Sequence, residues 1–502
     1  MTVLAHGVTA SDANDDLTRD ALAVLQPGFE GTAAPAWLLR QVGEGLTAVG
    51  LFGRNIASPE QLAALTAQLR AERDDVLVAI DEEGGDVTRL EVRGGSSFPG
   101  NLALGAVDDT ALTRDVAREL GRRLAECGVN LNWAPSADVN SNPDNPVIGV
   151  RSFGADTHLA ARHTAAYVEG LQAAGVAACT KHFPGHGDTN VDSHHALPRI
   201  DVDLDTLAAR ELVPFRAAIE AGTKAVMSAH ILVPALDPTR PATLSPQILT
   251  GLLRKELGYE GLIVTDGMEM NAIAGTYGIE RGSVLAIAAG ADAICVGGGL
   301  ADEATVLRLR DALVAAVREG ALPQERLADA AARVRALAAW TRQARAAAAP
   351  GAPLEGSAPG IGLEAARRAV VVSAAAAPVS APYVATLAPV ANIAVGDETP
   401  WGVAAELAAL VPGTGSGVFP EGATAADILA AAGERTVVAV VRDAHRHPWM
   451  AQALDALVAA RPSTVVVEMG VPRAEPRGAL YIATHGASRV CGRAAAEIIA
   501  GA

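Results

Sequence analysis

Short apolar runs alternate with longer amphipathic segments eight times between about residues 21 and 299, and this rhythm constrains the chain more than any other feature. Strands are expected at 21–26, 46–52, 76–81, 129–134, 176–182, 224–229, 261–266 and 292–296. The runs are nearly continuous in apolar residues rather than alternating, as suits strands buried on both faces. Helices are expected at 59–73, 109–127, 158–174, 204–220, 245–257 and 279–289. In the fifth of these Ser245 reads as the N-cap, Pro246 as a first helical residue and Gly258 as the stop. Eight strands in βα alternation over this length predict a closed parallel barrel.

A further helix is expected at 324–345, followed by an Ala/Pro/Gly-rich stretch at 346–360 that reads as a linker. Alternation then resumes, with strands at 369–372, 391–395, 436–441, 464–468 and 480–483. Helices at 401–410, 424–432, 448–460 and 489–499 accompany them, Thr424 and Pro448 being suitable starts. The expected class is α/β: a TIM-type (β/α)8 barrel over 1–345, then a smaller α/β/α sandwich over 361–502.

Composition narrows the partners. A formal net charge of −17 without a basic run argues against nucleic acid, whose phosphates need clustered Lys and Arg. The first sixteen residues lack the basic and apolar regions of a secretory signal, and no apolar run reaches membrane-spanning length. Cys127, Cys179, Cys295 and Cys491 lie in apolar segments with no CxxC spacing, which reads as buried thiols in a reducing compartment. The expected location is the cytoplasm, and no membrane partner is expected.

In a parallel barrel the chemistry sits at the C-terminal ends of the strands. Strand three ends in Asp81-Glu82-Glu83-Gly84-Gly85, three acids that must meet solvent, a pocket or a cation. Strand five runs into Lys181-His182-Phe183-Pro184-Gly185-His186-Gly187-Asp188-Thr189, then Asp192-Ser193-His194-His195. Four histidines on one glycine-bearing loop favour function over structure. Asp192 and His194 stand two apart, so on extended backbone both face one side, and the carboxylate can orient the imidazole for proton transfer. Strand seven ends in Asp266, which on its own is as readily a helix N-cap as a nucleophile. Arg151 follows strand four in a loop opened by turn residues.

Taken together, the stretch from Lys181 to Thr189 with Asp192-Ser193-His194 resembles the signature of the β-N-acetylhexosaminidases of glycoside hydrolase family 3. Supporting motifs occur in the same order: Ile80 to Gly85 with Arg89, Asn132-Trp133-Ala134-Pro135, Ile148 to Phe153, and Val264-Thr265-Asp266. The resemblance covers about residues 20 to 300. It implies a retaining exo-β-N-acetylglucosaminidase acting on muropeptides or chitooligosaccharides, as in peptidoglycan recycling, through a covalent glycosyl-enzyme. Asp266 would be the nucleophile, His194 the acid/base and Asp192 its orienting partner. Asp81, Arg89, Arg151, Lys181 and His182 would bind the terminal sugar, and no cofactor or metal is implied. Two positions depart from the family pattern. Glu82 stands where Gln is usual, adding charge beside Asp81, and Gly267 stands where a second Asp is common.

A histidine acid leaves less negative charge behind than a glutamate would, so phosphate is expected to compete with water as the acceptor. Three rival readings remain at this stage. A metal-dependent hydrolase would use His182, His186, His194 and Asp192 as ligands, but it leaves Asp266 and Arg151 idle and sets Lys181 against the cation. A β-glucosidase of the same family and a non-catalytic sugar-binding protein are the others.

Overall fold

The computed structural model describes residues 10–192, 197–347, 360–374, 379–390, 395–396 and 398–501. Eight short parallel strands form its first sheet: β1 (Leu25–Pro27), β2 (Ala48–Leu51), β3 (Leu77–Ile80), β4 (Leu131–Asn132), β5 (Ala177–Phe183), β6 (Ala225–Ser228), β7 (Leu262–Thr265) and β8 (Ile294–Val296). Strands β2 to β7 form one continuous parallel ladder in chain order. A bridge between Val264 and Ala293 carries the sheet on to β8, β8 pairs with β1, and β1 packs beside β2. The expected barrel is therefore present.

Side-chain alternation divides the strands into two layers. Ala48, Leu77, Ala79, Leu131, Ala177, Cys179, Ala225, Met227, Leu262, Val264, Ala293 and Cys295 form an inner core around Trp133. Val49, Leu51, Val78, Ile80, Ala178, Val226, Ile263 and Ile294 pack outward against the helices. The inner layer is small because it must admit an indole: a Cβ on Gly50 would stand 2.8 Å from the Trp133 ring. Helix Gln324–Ala347 sends Val334, Leu337 and Ala338 into the same inner core. Its Trp340 lies under Lys224 and its Thr341 accepts from Asn130, both residues at strand beginnings. It thus plugs the N-terminal mouth and leaves the C-terminal mouth as the open one.

The helices expected at 59–73, 109–127, 158–174 and 279–289 appear as Pro59–Glu72, Thr110–Glu126, Thr157–Ala173 and Ile279–Ala289. The one expected at 204–220 is wound as π-helix through Leu207–Glu211, and the one expected at 245–257 is π-wound over Gln247–Glu256. The first strand needs correction. Leu17, Ala21 and Leu22 are buried at helical spacing on helix Ala10–Ala23, so the apolar run at 21–26 is shared between a helix end and β1.

A second sheet of six strands has the order β11-β10-β12-β13-β14-β9. Its strands are β9 (Val371–Val372), β10 (Tyr383–Leu387), β11 (Gly415–Phe419), β12 (Val437–Val441), β13 (Val465–Glu468) and β14 (Leu480–Ala483), all parallel except β9. Separate apolar clusters cover its two faces, giving the three-layer sandwich. Most of the strand expected at 391–395 lies outside the described residues, and the described strand nearest to it in sequence is β10. Strand β11 carries no apolar run to betray it, because it is a half-exposed edge.

The two sheets meet along the barrel loops. Asp86, after β3, pairs with Arg442 after β12 and accepts the backbone N–H of Ala487 at 2.7 Å. Arg489 reaches Gly95 O at 3.3 Å and Glu91 at 3.6 Å. His445 bonds Pro143 O at 3.0 Å, so that histidine is tied to the barrel rather than solvated. All four cysteines are free and buried. Among the described residues no helix is long and apolar enough to cross a membrane.

Candidate active site

A cavity of about 630 Å³ opens at the C-terminal mouth, lined by the ends of β3, β5 and β7 and the loop after β4. The acids closing β3 are answered by protein cations. Glu83 is buried and accepts both arms of Arg151, at 2.7 and 3.0 Å. Lys181, also buried, lies 2.7 Å from Glu83 and 2.5 Å from Asp81. Burial alone would raise the Glu83 carboxyl, but Arg151 and Lys181 outweigh it and hold the group well below its ordinary range. Asp81 keeps about a quarter of its side chain open to solvent and lines the cavity, so it can still accept from a ligand hydroxyl. The cation demanded by the acid-rich strand end is therefore a lysine–arginine pair.

Glu82 points elsewhere. Its carboxylate accepts the backbone N–H groups of Arg89 and Leu90 at 2.8 and 2.7 Å, shaping the loop that puts Arg89 on the cavity wall. Burial pushes its pKa up to about 7, so near neutral pH about half of the extra charge expected beside Asp81 is neutralised by a proton. Unfolded Glu82 loses its proton near pH 4.5 and folded Glu82 only near 7, so ionisation costs the fold stability across that window. Glu82→Gln keeps the acceptor and removes the charge. It should leave stability near pH 4 almost unchanged and raise the melting temperature above pH 7. A melting curve lowered at both pH values would contradict this assignment.

Sequence reading passed over Asp138 on the loop after β4. It is wholly buried and accepts from His182 Nδ1 at 2.7 Å, from the His186 backbone N–H at 2.7 Å and from Ser136 Oγ at 2.9 Å. Burial works against its charge, yet His182 and His186 prevail and bring it to about 2. With Nδ1–H given to Asp138, His182 Nε2 faces Arg151 Nη2 at 3.4 Å. An aspartate three residues after the Asn132-Trp133-Ala134-Pro135 motif was the available signal. His186 packs edge-on to His182, lines the cavity and has no protein partner for either ring nitrogen among the described residues. Burial and the neighbouring His182 lower it to about 4, so it is neutral at pH 7.

The β4 and β5 loops are knitted together. Asn145 donates to His186 O and Gly187 O at 2.9 and 3.0 Å and accepts from Val147 and Ile148 N–H. A Cβ on Gly187 would sit 1.7 Å from Val139 O, so only glycine permits this approach. Asp188 is anchored through Arg210 to buried Glu211, at 2.5 and 2.7 Å.

Asp266 closes β7 and lines the same cavity, its Oδ1 accepting the Gly267 N–H at 2.8 Å. The next helix begins only at Asn271 with Met270 as its cap, so Asp266 is not an N-cap. A Cβ at Gly267 would stand 3.3 Å from Glu269, whose other oxygen holds the Gly297 N–H at 2.8 Å. That glutamate, unremarked in the sequence, crowds the position where a second aspartate is common and would have to give by a few tenths of an ångström to admit one. Of the expected residues, Asp81, Arg89, Arg151, Lys181, His182 and Asp266 share this cavity. Asp192 lines a cleft beside it that also touches Val147 and Arg151, and His194 lies outside the described residues.

Residues 34–337, more than half of the chain, match the glycosyl hydrolase family 3 N-terminal domain. Beta-hexosaminidase A of Pseudoalteromonas piscicida is 38% identical over 309 residues. That match covers 57% of this chain and 52% of the relative, so the chain spans about half of that relative's length. A glycoside hydrolase family 3 β-N-acetylglucosaminidase from Paenibacillus sp. str. FPU-7 superposes with a TM-score of 0.86 at 35% identity, covering 97% of this chain and 96% of that one. NagZ from Neisseria gonorrhoeae, in complex with N-trifluoroacetyl-D-glucosamine, gives a TM-score of 0.53 at 28% identity over 64% of this chain and 98% of its own. With the barrel, the acid at the end of β7 and the lysine–arginine network in one mouth, the chain belongs to glycosyl hydrolase family 3 and is an enzyme of that family.

Proposed function

We propose that the protein is a retaining exo-β-N-acetylglucosaminidase that removes terminal GlcNAc from β-linked amino-sugar oligosaccharides. The observation that carries this is the placing of Asp266 in one cavity with the Asp81–Lys181–Glu83–Arg151 network. A carboxylate aimed at the anomeric carbon and a rigid polar grip for one sugar are what such a reaction needs. Asp81, Arg89, Arg151, Lys181 and His182 bind the terminal sugar. Asp266 attacks C1, and His194, oriented by Asp192, protonates the departing oxygen and then deprotonates the incoming acceptor. The natural substrates are muropeptides or chitooligosaccharides met in the cytoplasm, and no metal takes part. The barrel ends at 345, and 346–360 links it to the sandwich.

The test is product analysis on chitobiose and on a GlcNAc–anhydroMurNAc disaccharide, with EDTA, and with and without millimolar phosphate. Release of β-GlcNAc that survives EDTA supports the reading, and GlcNAc-1-phosphate would establish phosphate as a competing acceptor. Preference for nitrophenyl glucoside over nitrophenyl GlcNAc would overturn the assignment.

One observation favours a second reading of the acid. Glu398, from the second sheet's side, lines the same cavity, and a carboxylic acid there would also reach a leaving oxygen. Leaving-group dependence separates the two. His194→Ala should cut turnover of chitobiose by about 10²–10⁴-fold and of nitrophenyl GlcNAc far less, since a phenolate departs without a proton. If Glu398→Gln shows that pattern and His194→Ala does not, the acid is Glu398.

A further inference from the structure

Beside the catalytic cavity a cleft of about 430 Å³ runs between the two sheets, and Val147, Arg151, Val395 and Gly396 line both spaces. Its barrel wall is the loop from Asn145 to Arg151 together with Asp192, and its far wall carries Thr399, Trp401, Arg442 and Arg446. The position of Asp192 gives the cleft a direction. In a retaining displacement the acid stands on the leaving-group side of C1, opposite the nucleophile. The cleft beside the acid's orienting carboxylate is therefore where the departing half of the substrate extends.

The far wall is built for a polar occupant. Arg442, fixed by its ion pair with Asp86, lies 5.7 Å over the Trp401 ring and holds the indole in place. The Thr399 hydroxyl is buried without a partner among the described residues. Arg446 lines the cleft with 22% of its side chain exposed, and among the described residues its nearest carboxylate oxygen is Asp443 Oδ2 at 3.9 Å, beyond hydrogen-bond reach. Asp443 spends its other oxygen on the Val471 N–H at 2.7 Å. A guanidinium on the cleft wall with no carboxylate in hydrogen-bond reach among the described residues is suited to a planar anion.

We propose that this cleft binds the leaving-group half of the substrate, and that Arg446 recognises a carboxylate carried by it, with Trp401 as the apolar wall. The proposal rests on the exo-hexosaminidase reading and sharpens it, since it favours carboxylate-bearing leaving groups over neutral ones. The experiment compares kcat/KM for a GlcNAc–muramic-type disaccharide with a free carboxylate, the same disaccharide as its methyl ester, and chitobiose. The wild type should prefer the free acid to its ester about tenfold or more, as befits a charge-assisted bond. Arg446→Ala should collapse that ratio toward one, and Arg446→Lys should restore part of it. Equal rates on acid and ester in the wild type, or a ratio unmoved by Arg446→Ala, would overturn the proposal while leaving the hexosaminidase assignment standing. Failure of the wild type to release GlcNAc from any of the three would remove the assignment itself, and the proposal with it.

Discussion

Asp266→Asn should lower kcat by about 10⁴-fold or more on every GlcNAc substrate, activated or not, with the melting temperature and sugar binding close to wild type. The side chain follows β7 into the cavity, and the hydrogen bond that its Oδ1 accepts from the Gly267 N–H can be accepted equally by an amide oxygen. What the amide lacks is the charge needed to form a bond to C1. Because the bond from Asp266 to C1 forms in the same step in which the leaving oxygen departs, and is needed whether or not that oxygen takes a proton, nitrophenyl substrates should give no relief. That insensitivity separates the variant from His194→Ala, whose defect follows leaving-group basicity. Wild-type turnover in purified Asp266→Asn would take the residue out of the chemistry.

The second large effect is on stability. Glu83→Ala should reduce unfolding free energy by about 3–5 kcal/mol, the usual result of leaving buried charges without their partner. Glu83 is 3% exposed and holds Arg151, 6% exposed, and Lys181, 2% exposed. Its removal leaves two cations with Asp81 and the more distant Asp138 as nearby carboxylates, so sugar binding should fail as well. The double variant Glu83→Leu, Arg151→Met should recover much of the stability and none of the binding, because the pair is replaced by apolar bulk. Chemical denaturation of the three proteins checks this. Equal stability of Glu83→Ala and wild type would mean that solvent reaches the network.

The barrel was legible because its strands are buried on both faces and so write themselves as continuous apolar runs. Where that condition fails, the sequence goes quiet. Strand β11 is an edge with alternate residues exposed, and β1 borrows its apolar residues from a helix end. The site was legible to the extent that its residues sit at strand ends: Asp81, Lys181, His182 and Asp266 each terminate an apolar run. Asp138 and Glu269 escaped notice because they act through backbone N–H groups and neighbouring rings, and nothing local marks such a partner. How much of the charge expected from Glu82 survives near neutral pH is set in the same way, by burial that raises its pKa to about 7. A sequence records that a carboxyl is present, whereas its protonation depends on what is folded over it.

The ion pair joining Asp86 to Arg442 carries a consequence for how such a chain can be divided. Cutting away everything after the barrel would take from Asp86 both the Arg442 guanidinium and the Ala487 amide, and would bare the carboxylate that they cover. A free-standing barrel made from this sequence would then carry, on the loop after β3, a carboxylate that has exchanged its ion pair for water. Whoever shortens the protein changes the setting of the loop that carries Arg89.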